Sequence, residues 1–287
     1  MKIGDVVVRK SYNKDVTFKI IDIKENGDDV ICTIKGINLR LVADSPILDL
    51  ELVAQNNLSS KEVEINKKIS SSVRKLLMNR TDNKNNQFRG LREKIDSNLT
   101  FGRPGRVLHI DGDAQYLTQC LNLYKQLSIE AFGKVIKESE QSSFVVDLVK
   151  NIRPDIVVLT GHDATLKGTV DFMKVESYKN SKYFIEAVEK IREYEPDYDD
   201  LVIYAGACQS YYEAILDAGA NFASSPNRVL IHCLDPVFLC EKIAYTSVEN
   251  TVSIKEAIEN TITGTKGIGG LQTRGKYREG YPKSSYI

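Results

Sequence analysis

The stretch IVVLTGHD at residues 156–163 is a short run of apolar and β-branched residues that ends in Gly, His and Asp. A run of this length is typical of a buried strand in a parallel sheet. The chain holds three more such runs, which are RVLHIDGD (106–113), LVIYAGACQ (201–209) and RVLIHCLD (228–235). Helical periodicity between the runs predicts a doubly wound, mostly parallel α/β sheet over residues 106–287.

The segments between these strands have the spacing of amphipathic helices. The predicted helices are AQYLTQCLNLYKQLSI (114–129), SSFVVDLVKNI (142–152), SKYFIEAVEKIREY (181–194), SYYEAILDAG (210–219), PVFLCEKIAYTS (236–247) and SIKEAIENTIT (253–263). Ser142 or Ser143 is expected to cap the second of these helices, and KVIKE (134–138) is expected to add a strand. The Gly-, Arg- and Tyr-rich tail from Thr265 onward is expected to be irregular.

Two different kinds of sequence precede the α/β segment. Residues 1–54 contain short β-branched runs separated by turn residues such as NGDD. This pattern predicts a small, strongly bent sheet or an SH3-like β-barrel. Residues 55–105 are polar, and they are expected to form a linker of loops with one or two short helices.

The composition argues against several classes of protein. Lys and Arg together number 39, as do Asp and Glu, and a zero net charge is unusual for a protein that binds nucleic acid. No apolar run approaches the roughly 18 residues of a membrane span, and the N-terminus lacks the features of a secretory signal. The five cysteines include no CxxC pair, which favours reduced thiols in the cytoplasm over a zinc centre or a disulfide scaffold.

The carboxyl ends of parallel strands meet at one edge of a sheet, where α/β proteins bind their ligands. Cys208 and His162 each follow an apolar strand, and they adjoin the small residues Ala207 and Gly161. A thiol nucleophile needs a nearby base, and a helix N-terminus would lower the thiol pKa and bind an oxyanion. The sequence therefore predicts a cysteine peptidase with Cys208 as nucleophile and His162 as general base. Cys233, which also ends a predicted strand, is the rival nucleophile.

Several blocks of the sequence resemble the YabG family of sporulation-specific proteases. The blocks are GDVVVRKSYNKDVTFKI, RLVADSPILDLELV, VLHIDGD, VVLTGHDA, YAGACQSYYEAILDAGANFASSPNRVLIHCLDP and KGIGGLQTRGKYREGYP, and they extend over essentially the whole chain. The resemblance implies a cysteine endopeptidase that cleaves after arginine, cleaves itself, and processes spore coat and cortex-associated proteins. It assigns the catalytic roles to His162 and Cys208. No cofactor is expected, and the protein is expected to associate with the developing spore coat.

The same blocks resemble, more distantly, the caspase, gingipain and clostripain peptidases, in which apolar strands precede a His-Gly pair and the Cys. Here His162 and Cys208 are 46 positions apart, close to the spacing of about 50 in caspases. This resemblance implies a caspase-like sheet with Gly161, Asp163 and Ala207 around the oxyanion site. Asp163 follows His162 where the pattern has the glycine of the His-Gly pair, and its charge would oppose an oxyanion unless the side chain turns away.

A preference for arginine requires a carboxylate in the substrate pocket, since a guanidinium binds a carboxylate in a bidentate manner. Asp113 and Asp235 are the first candidates and Asp111 is the third, because each follows a predicted strand at the same edge. Asp111 or Asp113 could instead cap the following helix. Self-cleavage is expected in the linker at residues 55–105, which is rich in Arg and Lys and predicted to be exposed.

Two other functions remain open from the sequence. His109, Asp111 and Asp113 alternate along one strand and share a face, so they are candidate Mg²⁺ or Mn²⁺ ligands in a metal-dependent hydrolase. The N-terminal sheet and the Gly-rich segment GTKGIGG (264–270) would instead suit a non-catalytic binding module. A homo-oligomer is compatible with the sequence.

Overall fold

Three β-sheets organise the part of the chain that the structure describes. The computed structural model describes residues 1–26, 29–53, 60–87, 100–284 and 286. Within these ranges the sheets contain five, six and two strands. Parts of the predicted linker, at positions 55–59 and 88–99, lie outside the described residues.

The first sheet is antiparallel and lies near the N-terminus. Its strands are β1 (Val6–Arg9), β2 (Thr17–Asn26), β3 (Asp29–Gly36), β4 (Val42–Pro46) and β5 (Leu50–Leu52), paired in the order β4-β3-β2-β1-β5. Apolar side chains that include Val7, Phe18 and Ile34 form a small core on one face. A register shift between Ile20 and Asp22 bends β2 against β3. A small antiparallel sheet is confirmed, and its strong bend and the SH3-like barrel remain predictions.

A long helix, α1 (Ser60–Gln87), occupies much of the predicted linker. Its sequence is mostly polar, so the spacing of apolar residues does not predict the length of the helix. Leu76 is nevertheless buried, and Val73 packs beside it against the core of the α/β part. Arg80 adds an ion pair with Glu241, with 2.6 Å between Nη2 and Oε1. One face of α1 is therefore attached to the α/β part.

The main sheet confirms the predicted α/β class. In chain order the strands after α1 are β6 (Phe101–Arg103), β7 (Val107–Asp111), β8 (Ala131–Val135), β9 (Ile156–Thr160), β10 (Val202–Ala205), β11 (Phe222–Ser224), β12 (Ile268–Gly270) and β13 (Arg278–Gly280). The main sheet has the order β12-β11-β10-β9-β7-β8, and every neighbouring pair is parallel except β11 and β12. The separate pair β6 and β13 forms the two-stranded sheet.

Helices cover both faces of the main sheet. They are α2 (Ala114–Gln126), α3 (Glu138–Ile152), α4 (Ser181–Tyr194), α5 (Tyr212–Asp217), α6 (Asp235–Tyr245) and α7 (Ile254–Glu259). One hydrophobic core joins α2, α6 and α7 to the sheet, and a second joins α3, α4 and α5 to its other face. This two-sided packing explains why β7, β9 and β10 are continuous apolar runs. No described helix is long and apolar enough to cross a membrane.

The predicted strand at RVLIHCL (228–234) is wrong. The last parallel strand of the sheet is β11, which lies earlier in the chain. Residues 228–234 form a loop across the carboxyl edge, and the loop pairs with the N-terminal part of the chain instead. Leu39 and His232 form an antiparallel bridge, and the backbone N–H of Cys233 donates to the carbonyl of Asn38 at 2.9 Å. A buried apolar run therefore need not belong to the sheet.

Three further boundaries differ from the sequence prediction. Helix α3 begins at Glu138 without a side-chain cap, and Ser142 instead donates to Glu186 at 3.0 Å. Strand β8 ends at Val135, so KVIKE lies mostly after it. The tail is partly regular, because it contributes β12 to the main sheet and β13 to the small one.

The docking of α1 can be tested by truncating its buried side chain. We expect Leu76→Ala to lower the free energy of unfolding by about 2–4 kcal/mol, since it removes a buried side chain from the core of the α/β part. Met78→Ala on the same helix removes an exposed side chain and should change it by less than about 0.5 kcal/mol. Urea unfolding measures both values. Equal effects of the two substitutions would show that α1 does not pack as described.

Candidate active site

His162 lies just after β9 at the carboxyl edge of the main sheet, and its contacts indicate the tautomer of the neutral ring. Its Nε2 is 3.0 Å from Oδ2 of Asp113, and its carbonyl accepts a hydrogen bond from Asn180 at 2.7 Å. Its Nδ1 has no hydrogen-bond partner among the described residues. When Nε2–H donates to the carboxylate, the lone pair lies on Nδ1. The imidazole is therefore oriented by a carboxylate and has one nitrogen available as a base.

Gly161 allows a carboxylate to approach the backbone of His162. The backbone N–H of His162 donates to Oε1 of Glu138 at 2.6 Å. A Cβ on Gly161 would lie 2.2 Å from that oxygen, and one on Gly112 would lie 2.3 Å from it. Both positions therefore require glycine for this close approach. Through this contact α3 holds the backbone of the candidate base in place.

Cys208 lies in the turn after β10 and is only 1% exposed. Its Sγ accepts a hydrogen bond from the backbone N–H of Ile231 at 3.3 Å. Helix α5 begins only at Tyr212, so the expected helix N-terminus does not start at the thiol. Burial raises the pKa of Cys208 to about 11, and the hydrogen bond from Ile231 opposes this by a smaller amount. The expectation of a lowered thiol pKa is therefore wrong for this conformation.

The structure brings Cys208 and His162 to the same edge of the main sheet, but no hydrogen bond joins their described side chains. Within the described residues neither ring nitrogen of His162 is hydrogen-bonded to the thiol. The ring of Tyr116 packs against His162 with 5.7 Å between centroids. Burial raises the pKa of Tyr116, and the nearby charge of Asp113 raises it further. Tyr116 therefore adjoins the candidate base.

Asp163 turns its carboxylate into the protein. The carboxylate accepts hydrogen bonds from the backbone of Asn180 at 2.7 Å, from Ser181 Oγ at 2.5 Å and from Ser210 Oγ at 2.8 Å. Ser210 Oγ in turn accepts from the backbone N–H of Ala207 at 2.9 Å. Burial raises the pKa of Asp163, and these hydrogen bonds oppose the rise. The carboxylate thus holds the turn before the thiol, and the N–H of Ala207 is already used there.

Asp113 lies at the carboxyl edge of the main sheet and also at the start of a helix, and both positions are predicted from the sequence. It is the N-cap of α2, where it accepts hydrogen bonds from the backbone N–H groups of Gln115 at 2.9 Å and Tyr116 at 3.3 Å. Besides His162, its Oδ2 contacts Nζ of Lys35 at 2.5 Å. Burial would raise the pKa of Asp113, but hydrogen bonds from His162 and Lys35 hold it well below its ordinary value. The predicted cap is confirmed, and the carboxylate is ionised beside the imidazole.

Asp111 is fully buried and paired with a cation of the N-terminal part of the chain. Its Oδ2 lies 2.6 Å from Nη1 of Arg40 and accepts a hydrogen bond from Thr160 Oγ1 at 2.9 Å. Burial alone would raise the pKa of Asp111, but the Arg40 guanidinium keeps it well below its ordinary value. Asp111 is therefore a buried carboxylate that already binds a guanidinium.

Asp235 has a different environment from the other two candidates for arginine binding. It is fully buried at the start of α6 and accepts hydrogen bonds from the backbone N–H groups of His232 at 3.2 Å and Ile262 at 2.6 Å. Thr263 Oγ1 donates to it at 2.5 Å. Burial raises the pKa of Asp235. These partners are internal, so the carboxylate joins α6 to the loop after α7.

The proposed metal ligands do not converge. His109 and Asp111 share a face as predicted, with 3.7 Å between Nε2 and Oδ2. Asp113, however, is turned toward His162. Lys35 and Arg40 place cations directly on the two carboxylates. Among the residues that the structure describes, no group of three or more His, Cys, Asp or Glu has the geometry of a metal site.

Sequence comparisons identify the family of the chain. The family model described as "YabG peptidase U57" matches residues 2–282. The chain belongs to this peptidase family. A curated relative, "Sporulation-specific protease YabG" of Bacillus subtilis (strain 168), is 40% identical over 294 aligned residues and covers 99% of both chains. The predicted resemblance is confirmed, and membership of the family supports peptidase activity and a role in sporulation.

Several residues that shape the site were not singled out by the sequence. They are Arg40, Lys35, Tyr116, Glu138, Ser181 and Ser210. Ser210 lies two residues after Cys208 and Tyr116 lies in the first turn of α2, so their proximity to the edge was a usable signal. Arg40 and Lys35 reach the site from the first sheet, and no local pattern indicates such a long-range contact.

The protonation of Cys208 can be tested by alkylation. Because burial raises the pKa of this thiol to about 11, the thiolate that reacts with iodoacetamide forms only at alkaline pH. We expect the rate of modification to rise about tenfold per pH unit between roughly pH 7 and pH 10. Peptide mapping follows the rate at Cys208, and Cys208→Ala identifies the labelled peptide. A rate already constant near neutral pH would show that the thiolate is stabilised instead.

Proposed function

We propose that the chain is a cysteine endopeptidase in which Cys208 is the nucleophile, His162 the general base and Asp113 the group that orients the base. The hydrogen bond between His162 Nε2 and Asp113 Oδ2 carries this proposal, since it leaves Nδ1 able to accept a proton. The buried thiol supports it because it lies at the same edge of the sheet. Such a thiol, imidazole and carboxylate form the catalytic groups of a peptidase on many folds.

In the proposed reaction the thiol of Cys208 attacks the carbonyl carbon of the scissile peptide bond while its proton moves to Nδ1 of His162. The ionised Asp113 stabilises the imidazolium that forms. When the tetrahedral intermediate collapses, His162 gives the proton to the leaving amine and a thioester remains on Cys208. Water then hydrolyses the thioester, with His162 again acting as base.

The choice of oxyanion donors depends on which backbone N–H groups beside Cys208 and His162 already donate hydrogen bonds. The N–H of Ala207 donates to Ser210, and that of His162 donates to Glu138. We therefore assign the oxyanion to the backbone N–H groups of Cys208 and Asp163. The side chain of Asp163 is compatible with this role because its carboxylate turns into the protein and accepts hydrogen bonds there.

The finer features of the function rest on the resemblance to the family. They are cleavage after arginine, self-cleavage, spore coat and cortex-associated substrates, a cytoplasmic location in the sporulating cell and association with the coat. A caspase-like sheet and an SH3-like N-terminal barrel are the corresponding proposals for the fold. The relative in Bacillus subtilis is named as a sporulation-specific protease, which supports the proposed setting.

The nucleophile and base are tested by substitution. We expect Cys208→Ala to abolish cleavage of arginine peptides and His162→Ala to lower kcat/KM by at least about 10³-fold, because the acylation step needs both groups. Cys32→Ala is the matched control, since Cys32 is also a buried thiol but belongs to the core of the first sheet. Continued cleavage by Cys208→Ala would exclude Cys208 as the nucleophile, and loss in Cys233→Ala alone would transfer the role to the rival thiol.

The role of Asp113 is tested by Asp113→Asn. If Asp113 orients the base, kcat should fall by roughly a hundredfold or more, while the preference for arginine over citrulline at the cleavage site stays unchanged. Steady-state kinetics with matched arginine and citrulline peptides measures both quantities, and circular dichroism checks that α2 remains folded. A loss of arginine preference with little change in kcat would instead identify Asp113 as the carboxylate of the substrate pocket.

A further inference from the structure

The connection between β3 and β4, residues 37–41 with the sequence INLRL, leaves the first sheet and lies against the candidate active site. In this β3–β4 loop Leu39 forms an antiparallel bridge with His232. The carbonyl of Asn38 accepts a hydrogen bond from the backbone N–H of Cys233 at 2.9 Å, and that of Leu39 accepts one from Tyr116 Oη at 2.7 Å. Extended peptides bind to protein edges through backbone contacts of this kind.

Arg40 extends from this loop into a pocket formed by the α/β part. The residue is 1% exposed, and its Nη1 lies 2.6 Å from Oδ2 of Asp111. Its Cζ lies 5.2 Å from the centroid of the Tyr116 ring, and Nη2 donates to the carbonyl of Cys233 at 3.5 Å. A buried carboxylate, an aromatic face and a carbonyl oxygen are the groups expected in a pocket that binds a guanidinium.

The β3–β4 loop pairs with the segment that contacts the candidate nucleophile. Ile231, whose N–H donates to the thiol of Cys208 at 3.3 Å, directly precedes the residue that pairs with Leu39. The loop around Arg40 and the thiol therefore lie on the two sides of one short backbone segment.

The first sheet also affects the base. Nζ of Lys35, in β3, lies 2.5 Å from Oδ2 of Asp113, and the same oxygen lies 3.0 Å from Nε2 of His162. Lys35 and Arg40 thus place one cation on each of two carboxylates at the site. This charge complementarity explains why the loop binds here, and it makes Lys35 a competitor of the imidazole for its orienting group.

We propose that the β3–β4 loop is an internal substrate: Arg40 occupies the arginine-binding pocket, Asp111 is the carboxylate that recognises arginine, and Cys208 cleaves the bond between Arg40 and Leu41. This inference rests on the proposed function and adds the pocket acid and the cleavage site. The intact chain is then latent because its own loop fills the substrate groove. The cleavage site differs from the one expected in the linker.

The self-cleavage has a defined chemical course. Sγ of Cys208 attacks the carbonyl carbon of Arg40, the bond to the nitrogen of Leu41 breaks, and His162 passes the thiol proton to the new amine. Water then hydrolyses the thioester, which leaves a carboxylate on Arg40 and free Cys208. Because the cut separates β3 from β4, the loop loses its connection at one side and Arg40 can leave the pocket.

The cleavage site is tested by intact mass spectrometry and N-terminal sequencing of the full chain. We expect wild-type protein to yield a fragment that ends at Arg40 and a second that begins at Leu41. Arg40→Gln and Cys208→Ala should yield neither. Arg74→Gln is the matched control, since Arg74 is exposed on α1, and it should be cleaved like the wild type.

The outcomes separate this inference from the proposed function. Wild-type protein that cleaves added arginine peptides but remains intact after Arg40, or is cut only within residues 55–105, would overturn the inference and leave the proposed function standing. Cys208→Ala that still cleaves added peptides would overturn the proposed function itself.

The pocket acid is tested in a background without the Arg40 side chain, which would otherwise fill the pocket. Asp111→Asn alone leaves the guanidinium of Arg40 without its carboxylate, and Arg40→Gln alone leaves the carboxylate of Asp111 without its cation, so circular dichroism first checks that each variant is folded. The comparison is therefore between Arg40→Gln and the double variant Arg40→Gln/Asp111→Asn, with the peptide GINLRLVA (residues 36–43) as substrate. We expect Arg40→Gln to cleave it after Arg and the double variant to have a kcat/KM roughly a hundredfold lower. Equal values, or no cleavage by Arg40→Gln, would overturn the assignment of Asp111.

Discussion

The parallel register of β7, β9 and β10 is the constraint on which the site depends. Asp111 pairs with Thr160 across β7 and β9, and Leu159 pairs with Ala205 across β9 and β10. Because parallel strands end at the same level, the residues that follow them lie at one edge of the sheet, and no further interaction is needed to bring them there. The polar contacts around the site then refine this placement. Glu138 fixes the backbone after β9, and Ser210 fixes the turn after β10.

The buried pair of Arg40 and Asp111 adds a second constraint, between the first sheet and the α/β part. Removing one partner of a buried ion pair lowers the free energy of unfolding by about 3–5 kcal/mol, because the remaining charge is buried without a partner or water. A pair of this kind resists separation only while both partners stay in place. The proposed cut between Arg40 and Leu41 would free the β3–β4 loop at one side while the ion pair is still intact. The pair would then hold the loop in place before the cut and allow it to leave afterwards.

The sequence predicted the elements that depend on local pattern and missed those that depend on distant partners. The runs at β7, β9 and β10 are recognisable because both faces of a central strand are buried, and the position before α2 left Asp111 and Asp113 as alternative caps, of which the structure selects Asp113. The run RVLIHCL has the same apolar character but pairs with Leu39, which no local pattern indicates. Likewise, the roles of the three candidate acids depend on whether Arg40, His162 or Thr263 lies beside them.

The most direct test of the account is to trap the nucleophile with a substrate-like reagent. A peptidyl-arginine acyloxymethyl ketone alkylates a catalytic thiol only when the arginine pocket and the base act together on it. Peptide mapping of wild-type protein after this treatment should find the adduct on Cys208 and on no other cysteine, and a matched citrulline reagent should label it far more slowly. An adduct on Cys233, or equal labelling by the two reagents, would contradict the account.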